Sequence, residues 1–349
     1  MKIKKVVLLM VIIALATVIV LPGCKTATTT TAAAAETTAA ETTAVKVEPV
    51  TLKMGTTYSL TQPASLGILK AIELASAKSG GAIKIEYFDS GQLGANLELA
   101  KQMMTGGTDM NVQSLGYFVE QMPECEVDSL FFMYKNWDHL YKVWSGEIGD
   151  YFKENLRTKV NVHLIDPWEY GQRVITTKKT EIRTPEDLAG LRIRVPDIKI
   201  HVDMVKAMGA DPTPMAMTEL YMALSQGVVD GQENPVSVIM ANKFDETQGV
   251  MSLTNHKVES VYVMINAEKW DSLSAEQQRI ITESFIEARE INNNAVNQGE
   301  IDGIAAFEAE GKTVVKDVDV KAFRDLVIKF IGEKYPEDLD LFTRVQAVE

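Results

Sequence analysis

Hydrophobic and polar positions divide the chain into three regions before any motif is considered. Residues 6–21 are an almost unbroken apolar run behind Lys2, Lys4 and Lys5. Sixteen residues fall short of the roughly twenty that a membrane-spanning helix needs. A basic head followed by a short apolar stretch fits an export signal. Residues 25–45 are almost only Thr, Ala and Glu, without an apolar period, which predicts a disordered spacer of a length that lets a tethered body stand off a surface. From about Lys46 the pattern is that of a folded body.

Within that body, alternation or short apolar runs predict strands over 52–55, 83–87, 109–113, 160–165, 172–176, 191–195 and 261–266. Helical spacing predicts helices over 65–78, with Leu66, Leu69 and Leu74 on one side, over 96–105 and over 217–225. Thr184, Pro185 and Asp187 make a helix start, as do Ser274 and Gln277. The second opens a long helix with Ile280, Ile281, Phe285, Ala288, Ile291 and Ala295 on its apolar side, running past Gly299 and Gly303 toward Gly311. More than twenty residues of helix span over about 30 Å, enough to brace two lobes. The recurring strand–helix–strand order predicts an α/β fold with parallel strands. In such sheets ligands sit at the carboxyl ends of strands, beside helix N-termini.

The 349 residues carry 35 basic and 48 acidic side chains, a formal net charge of −13. The three leader lysines are the only charges before Cys24, so the chain from Cys24 onward is three units more negative still. That balance excludes nucleic acid as a partner. Of the two cysteines, Cys24 lies at the end of the leader and Cys125 in the body, so no disulfide framework is expected. Leu21-Pro22-Gly23-Cys24 resembles a bacterial lipobox, with Cys24 the lipidated first mature residue, and puts the body outside the cytoplasm. His139, His163, His201 and His256 form no HExxH or HxH pair, and no GxSxG elbow or phosphate-loop Lys-Ser/Thr occurs. The expectation is therefore a protein that is not an enzyme, with no metal and no cofactor.

The arginines carry more. In residues 191–195 the period is two, so Leu191, Ile193 and Val195 face one way and Arg192 and Arg194 the other. Arg194 lies at the carboxyl end of its strand, and a guanidinium offers a planar fork that fits a carboxylate in two hydrogen bonds. Arg173 follows Gly171 at the start of another strand. Asn234, in the polar run 230–235, can both donate and accept. Spacing alone favours internal Asp or Glu partners for these arginines, and an ordinary turn for the run 230–235.

The same residues carry a resemblance. The chain resembles the solute receptors of tripartite ATP-independent periplasmic (TRAP) transporters, of the C4-dicarboxylate-binding (DctP) type, in order over nearly all of 50–340. The matching stretches are 79–85, 91–94, 107–110, Gly171-Gln172-Arg173, TPEDLAGLRIRVP at 184–196, GADPTPMAMTELYMAL at 209–224, GVVDGQENP at 227–235, Lys243-Phe244 and Thr254-Asn255-His256. The resemblance implies a bilobal periplasmic-binding-protein-like fold: two α/β lobes with a hinge, closing on ligand, and a long lobe-spanning helix. It divides the chain into a signal peptide (1–23), a lipidated Cys24 and spacer (24–48), lobe I (49–170, with about 258–275 returning), lobe II (171–257), and the long helix with C-terminal helices (274–349). It implies that Arg194 binds a ligand carboxylate, that Arg173 supports the same group and that Asn234 closes the anchor. Met217 stands where an aromatic residue usually packs on the ligand. Asp197, Gln113, Ser114 and Thr57 with Tyr58 are implied to face the cleft, Trp168 and Glu169 to lie near the crossing. Many members carry a histidine near the first strand end, and none is present here. The implied partners are a small organic acid, the TRAP membrane subunits, and the membrane through the N-terminal lipid. The competing classes are a surface sensor reporting ligand to a signalling partner, and a lipoprotein hydrolase or lyase, the latter disfavoured by the missing motifs.

Overall fold

A computed structural model describes residues 47–349. The leader, Cys24 and nearly all of the spacer lie outside the described residues. The first part of the fold runs β1 (Val50–Gly55), α1 (Pro63–Lys78), β2 (Ile83–Phe88), α2 (Asn96–Met104), β3 (Met110–Gln113), α3 (Trp137–Ser145), α4 (Glu147–Val160) and β4 (Val162–Thr177). The second part holds β5 (Arg192–Val195), α5 (Lys199–Ala207), β6 (Asp211–Pro214), α6 (Leu220–Gln226), β7 (Gly231–Pro235), α7 (Val236–Ala241), β8 (Val250–Asn266) and α8 (Ala267–Ser272). The chain ends with α9 (Ala275–Ala309), β9 (Thr313–Val315), α10 (Val320–Lys334) and α11 (Pro336–Gln346).

The strands form one mixed sheet in the order β2-β1-β3-β8-β4-β7-β5-β6, with β9 added beside β8. Its ends are parallel, β1 with β2 and β3 at one and β5 with β6 and β7 at the other. The middle is antiparallel, because the long strands β4 and β8, of 16 and 17 residues, pair with each other. Residues 262–265 of β8 pair with β3, and residues 173–177 of β4 pair with β7. The two long strands therefore carry the chain from one end of the sheet to the other and back. Pairing of β4 and β8 breaks register at Leu164/Asp166, Glu169/Gly171 and Arg173/Ile175; such irregularities bend a strand and raise its twist. At the middle break Gly171 has φ 133°, and a β-carbon there would sit 2.4 Å from Pro235 Cβ. Only glycine takes that conformation at that spacing.

Four sequence expectations change here. The separate strands at 160–165 and 172–176 are one strand, β4, whose Pro167, Glu169 and Gly171 hide its continuity. The sheet is mixed, not parallel throughout. On α1 the leucines Leu66 and Leu69 are exposed and the buried face is Ala64, Gly67, Ile68, Ala71 and Ala75. Small residues win that face because α1 packs closely on α9: a β-carbon on Gly67 would lie 2.7 Å from Trp168 Cζ3 and 2.9 Å from Asn292 Cβ. On α9 Ile291 is likewise exposed, and Asn292 and Val296 are buried in its place.

The helix α9 has 35 residues, about 52 Å at 1.5 Å per residue, and opens with the expected Ser274–Gln277 box. Its seam with β4 is polar. Asp166 accepts from Arg289 (2.8 Å), Glu169 from Asn293 (3.1 Å) and Asn297 (3.3 Å), and Glu300 from the Gln172 backbone N–H (2.7 Å). Burial pushes all three carboxyls up to about 7. A carboxyl raised in the folded state binds its proton more tightly there than when unfolded, so stability falls as pH rises from about 4.5 toward 7. Glu300→Gln keeps the acceptor oxygen and removes the charge. It is expected to raise stability at pH 8 by about 1–3 kcal/mol and to change little at pH 4. Equal gains at both pH values in thermal unfolding would refute this account of the seam.

Candidate functional site

The carboxyl ends of β1, β3, β5 and β7 converge on one enclosed cleft. Thr57 and Tyr58 follow β1, Gln113 ends β3 with Ser114 next, Arg194 sits one residue before the end of β5, and Asn234 lies near the end of β7. With Asn96, Tyr117, Tyr170, Arg173, Pro196, Ile198, Met217, Glu259 and Val261 they line a cavity of about 50 Å³. Strand ends are where an α/β sheet presents backbone and side chains to a ligand.

Two guanidiniums reach this cleft, and they are in opposite electrostatic states. Arg173, on β4, is bound on both sides by carboxylates: Nε and Nη2 donate to Glu233 of β7, and Nη1 to Glu259 of β8. Its Nη2 also donates to the Glu233 carbonyl (2.5 Å) and to Asn234 Oδ1 (3.2 Å). Burial would lower its pKa, but the two glutamates outweigh burial and raise it. Glu259 shows the reciprocal effect: burial would push it up, yet Arg173 and Lys257 hold it at about 2. Glu233 is also held low, by Arg173 and the flanking His201 and His256 against burial.

Arg194 is only 2% exposed and forms no ion pair among the described residues. Its Nε and Nη2 donate to a single backbone carbonyl, that of Met215, at 3.1 and 2.8 Å. Burial, helped by the nearby Arg173, pushes its pKa down to about 10, still fully charged at neutral pH. In the contacting cluster Arg173, Arg194 and Lys257 face Glu233 and Glu259. Burial keeps His201 and His256 neutral at pH 7, His201 near 4. Arg173 and Lys257 are ion-paired with these glutamates, and Arg194 is the cation of the group without a carboxylate at salt-bridge distance among the described residues. Asp128, hydrogen-bonded to Tyr134 and Tyr262, lies close enough to Lys257 to share its charge with Glu259. A buried charge without a partner costs several kcal/mol, so the cleft is built to receive an anion.

The opposite wall is polar and neutral. Thr57 donates to Asn96 Oδ1 (2.9 Å), and Asn96 donates to the Tyr117 hydroxyl (3.2 Å). Ser114 accepts from the Gly116 N–H (3.2 Å). Gln113 is 1% exposed, and neither its Oε1 nor its Nε2 has a hydrogen-bond partner. Met217 supplies a flexible apolar contact. Among the described residues no group of three or more His, Cys, Asp or Glu is placed to hold a metal.

Of the residues singled out from sequence, Arg173, Arg194, Asn234, Met217, Gln113, Ser114 and Thr57 come together here, and Tyr58 with them. Three do not. Asp197 is exposed, and Pro196 and Ile198 line the cleft instead, because the two-residue alternation set by Arg194 carries on through them and leaves Asp197 on the opposite side. Trp168 is fully buried against Phe285 and Asp166, and Glu169 is held by Asn293 and Asn297 of α9; both belong to the seam. Sequence reading missed Asn96, Tyr117, Tyr170 and Glu259, and gave no role to Glu233, Lys257, His201 and His256. Glu233 stands inside the polar run that drew attention to Asn234. Glu259 and Lys257 carry no local signal.

Comparison with known proteins gives the family. Residues 54–338 match the family model described as bacterial extracellular solute-binding protein, family 7. A solute-binding protein of Roseobacter denitrificans is 31% identical over 297 residues, 83% of this chain and 90% of that one. The sialic acid-binding periplasmic protein of Vibrio cholerae is 32% identical over 284 residues, 79% and 85% of the two chains. A TRAP periplasmic solute-binding protein of a Polaromonas species, solved with D-erythronate bound, superposes with a TM-score of 0.81 at 30% identity, covering 86% of this chain and 99% of that one. With its charged cleft at the strand ends and its long bracing helix, the chain belongs to the bacterial extracellular solute-binding proteins of family 7.

Proposed function

We propose that the chain is the extracytoplasmic receptor of a TRAP transporter, capturing a small organic carboxylate between two lobes and presenting it to the membrane subunits. One observation carries the reading: Arg194 is a buried, charged guanidinium that lines the cleft and pairs with no carboxylate among the described residues. In this reading the ligand carboxylate supplies the missing negative charge. Arg194 grips it with its fork, and Asn234 completes the anchor. Arg173, already committed to Glu233 and Glu259, positions Asn234 and adds its field. The relatives point the same way, since solved members hold D-erythronate, L-galactonate and succinate.

The lobes divide where β4 and β8 lose register, near Gly171 and Val258, so 49–170 with about 258–275 form one lobe and 171–257 the other. Closure follows from differential affinity: only the closed form surrounds the acid on both sides. Leu21-Pro22-Gly23-Cys24 supplies a lipid anchor and residues 25–45 the spacer. The family contains binding proteins, and the chain is read as one of them and not as an enzyme.

A thermal-shift panel of organic acids tests the proposal. A ligand at 100 times its Kd stabilises by about 2.7 kcal/mol, so at least one monocarboxylate or dicarboxylate should raise the midpoint by several degrees. Sugars and amines without an acid group should not. A panel in which neutral sugars shift the midpoint and no acid does would end the proposal.

A further inference from the structure

The anchor explains the acid group; the rest of the cleft selects what hangs from it. After Arg194 is matched, no cation among the lining residues remains uncommitted: Arg173 is saturated by two glutamates, and neither lysine nor histidine lines the cavity. The lining does include Glu259, an anion held at low pKa. A second carboxylate would enter a closed cleft with no positive partner and a negative neighbour. Charge burial on those terms costs several kcal/mol.

The remaining wall calls for hydroxyls. Gln113 has both an unpartnered donor and an unpartnered acceptor, and a hydroxyl group serves both at once. Around the same cavity the Ser114 hydroxyl accepts but donates to nothing, and the Tyr117 hydroxyl accepts from Asn96 with its own hydrogen free. Thr57 and Asn96 hold that tyrosine in place through one hydrogen-bond chain. A buried amide left unpaired costs about 1–3 kcal/mol, so an acid with a plain hydrocarbon tail leaves Gln113 unsatisfied.

We infer that the receptor's ligand is a short monocarboxylate bearing several hydroxyls, with Gln113 the residue that reads a hydroxyl remote from the acid group and with dicarboxylates excluded. This rests on the anion-site reading above and sharpens it. Specificity then has two independent parts, an absent second cation and an unpaired amide. Sites built to hydrogen-bond a ligand hydroxyl reject analogues lacking it far more strongly than apolar pockets reject a missing methylene.

Calorimetry on the purified full chain with D-gluconate, L-threonate, succinate and butyrate separates the possibilities. The expected order places one of the two hydroxy acids at least about 100-fold tighter than succinate and butyrate. Gln113→Met, close in volume, should weaken the better hydroxy acid about 10- to 100-fold and bind butyrate as well as before or tighter, because no amide is then stranded beside its tail. Thr57→Val, which frees Asn96 and Tyr117, supplies a second variant should the first fail to fold, and should also weaken the hydroxy acid selectively. Succinate binding as tightly as the hydroxy acids, with dependence on Arg194, would overturn this inference while leaving the receptor reading intact. Equal losses for all four acids in Gln113→Met would also overturn it. Binding that ignores Arg194 altogether would remove the anion site and the inference with it.

Discussion

Arg194→Met is expected to lower carboxylate affinity at least about 30-fold while leaving the unliganded protein as stable as before, or more stable. The two effects have opposite signs for one reason. In the empty cleft the Arg194 guanidinium is buried, donates only to the Met215 carbonyl and meets no carboxylate among the described residues. Replacing a buried ionic group by an apolar side chain of similar volume is often neutral or stabilising. In the complex the same group pairs with the ligand. Removing one partner of a buried charge pair costs about 2–5 kcal/mol, and 1.4 kcal/mol is tenfold. Arg194→Lys keeps the charge and loses the fork, so its affinity should fall between the two. Calorimetry and thermal unfolding of the same samples decide. A sharp drop in the unfolding midpoint of the empty Met variant would mean Arg194 serves the framework, and unchanged affinity would mean the acid binds elsewhere.

The contrast between Arg194 and its neighbours shows which parts of the site a sequence displays. Arg194 was legible because its strand is short, alternates cleanly and is closed by Pro196, so its position at the carboxyl end follows from the pattern. Glu259 and Lys257 were not. They lie in β8, a 17-residue strand whose middle reads Thr254, Asn255, His256, Lys257, Val258, Glu259 and Ser260. Such a run looks like a solvated loop, yet all of these but Asn255 are buried. Asn255 itself has φ 42°, a left-handed kink that asparagine tolerates and that breaks the two-residue period. The polar side chains are buried because they satisfy one another across β4, β7 and β8, a relation that exists only in three dimensions. The same holds for α1. Its leucines looked like the core face, but close packing on α9 favoured Gly67 and the alanines, which lets Trp168 fit between the helices. Long-range pairing decided both cases, and a single sequence does not encode it locally.

Arg173→Met should behave in the opposite way to Arg194→Met, destabilising the empty protein by about 3–5 kcal/mol. Among the described residues Arg173 is the sole guanidinium bound to both Glu233 and Glu259. Without it Glu233 faces only His201 and His256, which burial keeps neutral, and Glu259 keeps only Lys257. The pH profile carries the sharper signature. In the native chain Glu259 is held at about 2 and Glu233 also below its usual value. Carboxyls depressed in the folded state contribute stability that is complete above about 4.5 and is lost as pH falls toward 2. In the variant burial dominates and lifts both carboxyls above their usual range, so stability should decline as pH rises from 5 to 8. Urea unfolding at pH 5 and pH 8 measures the slope directly. Adding Glu233→Gln to Arg173→Met removes the stranded charge and should restore part of the loss, most of all at pH 8. A variant with native stability and a native pH slope would show that the glutamates need no guanidinium, and that Arg173 is free to bind the ligand acid itself.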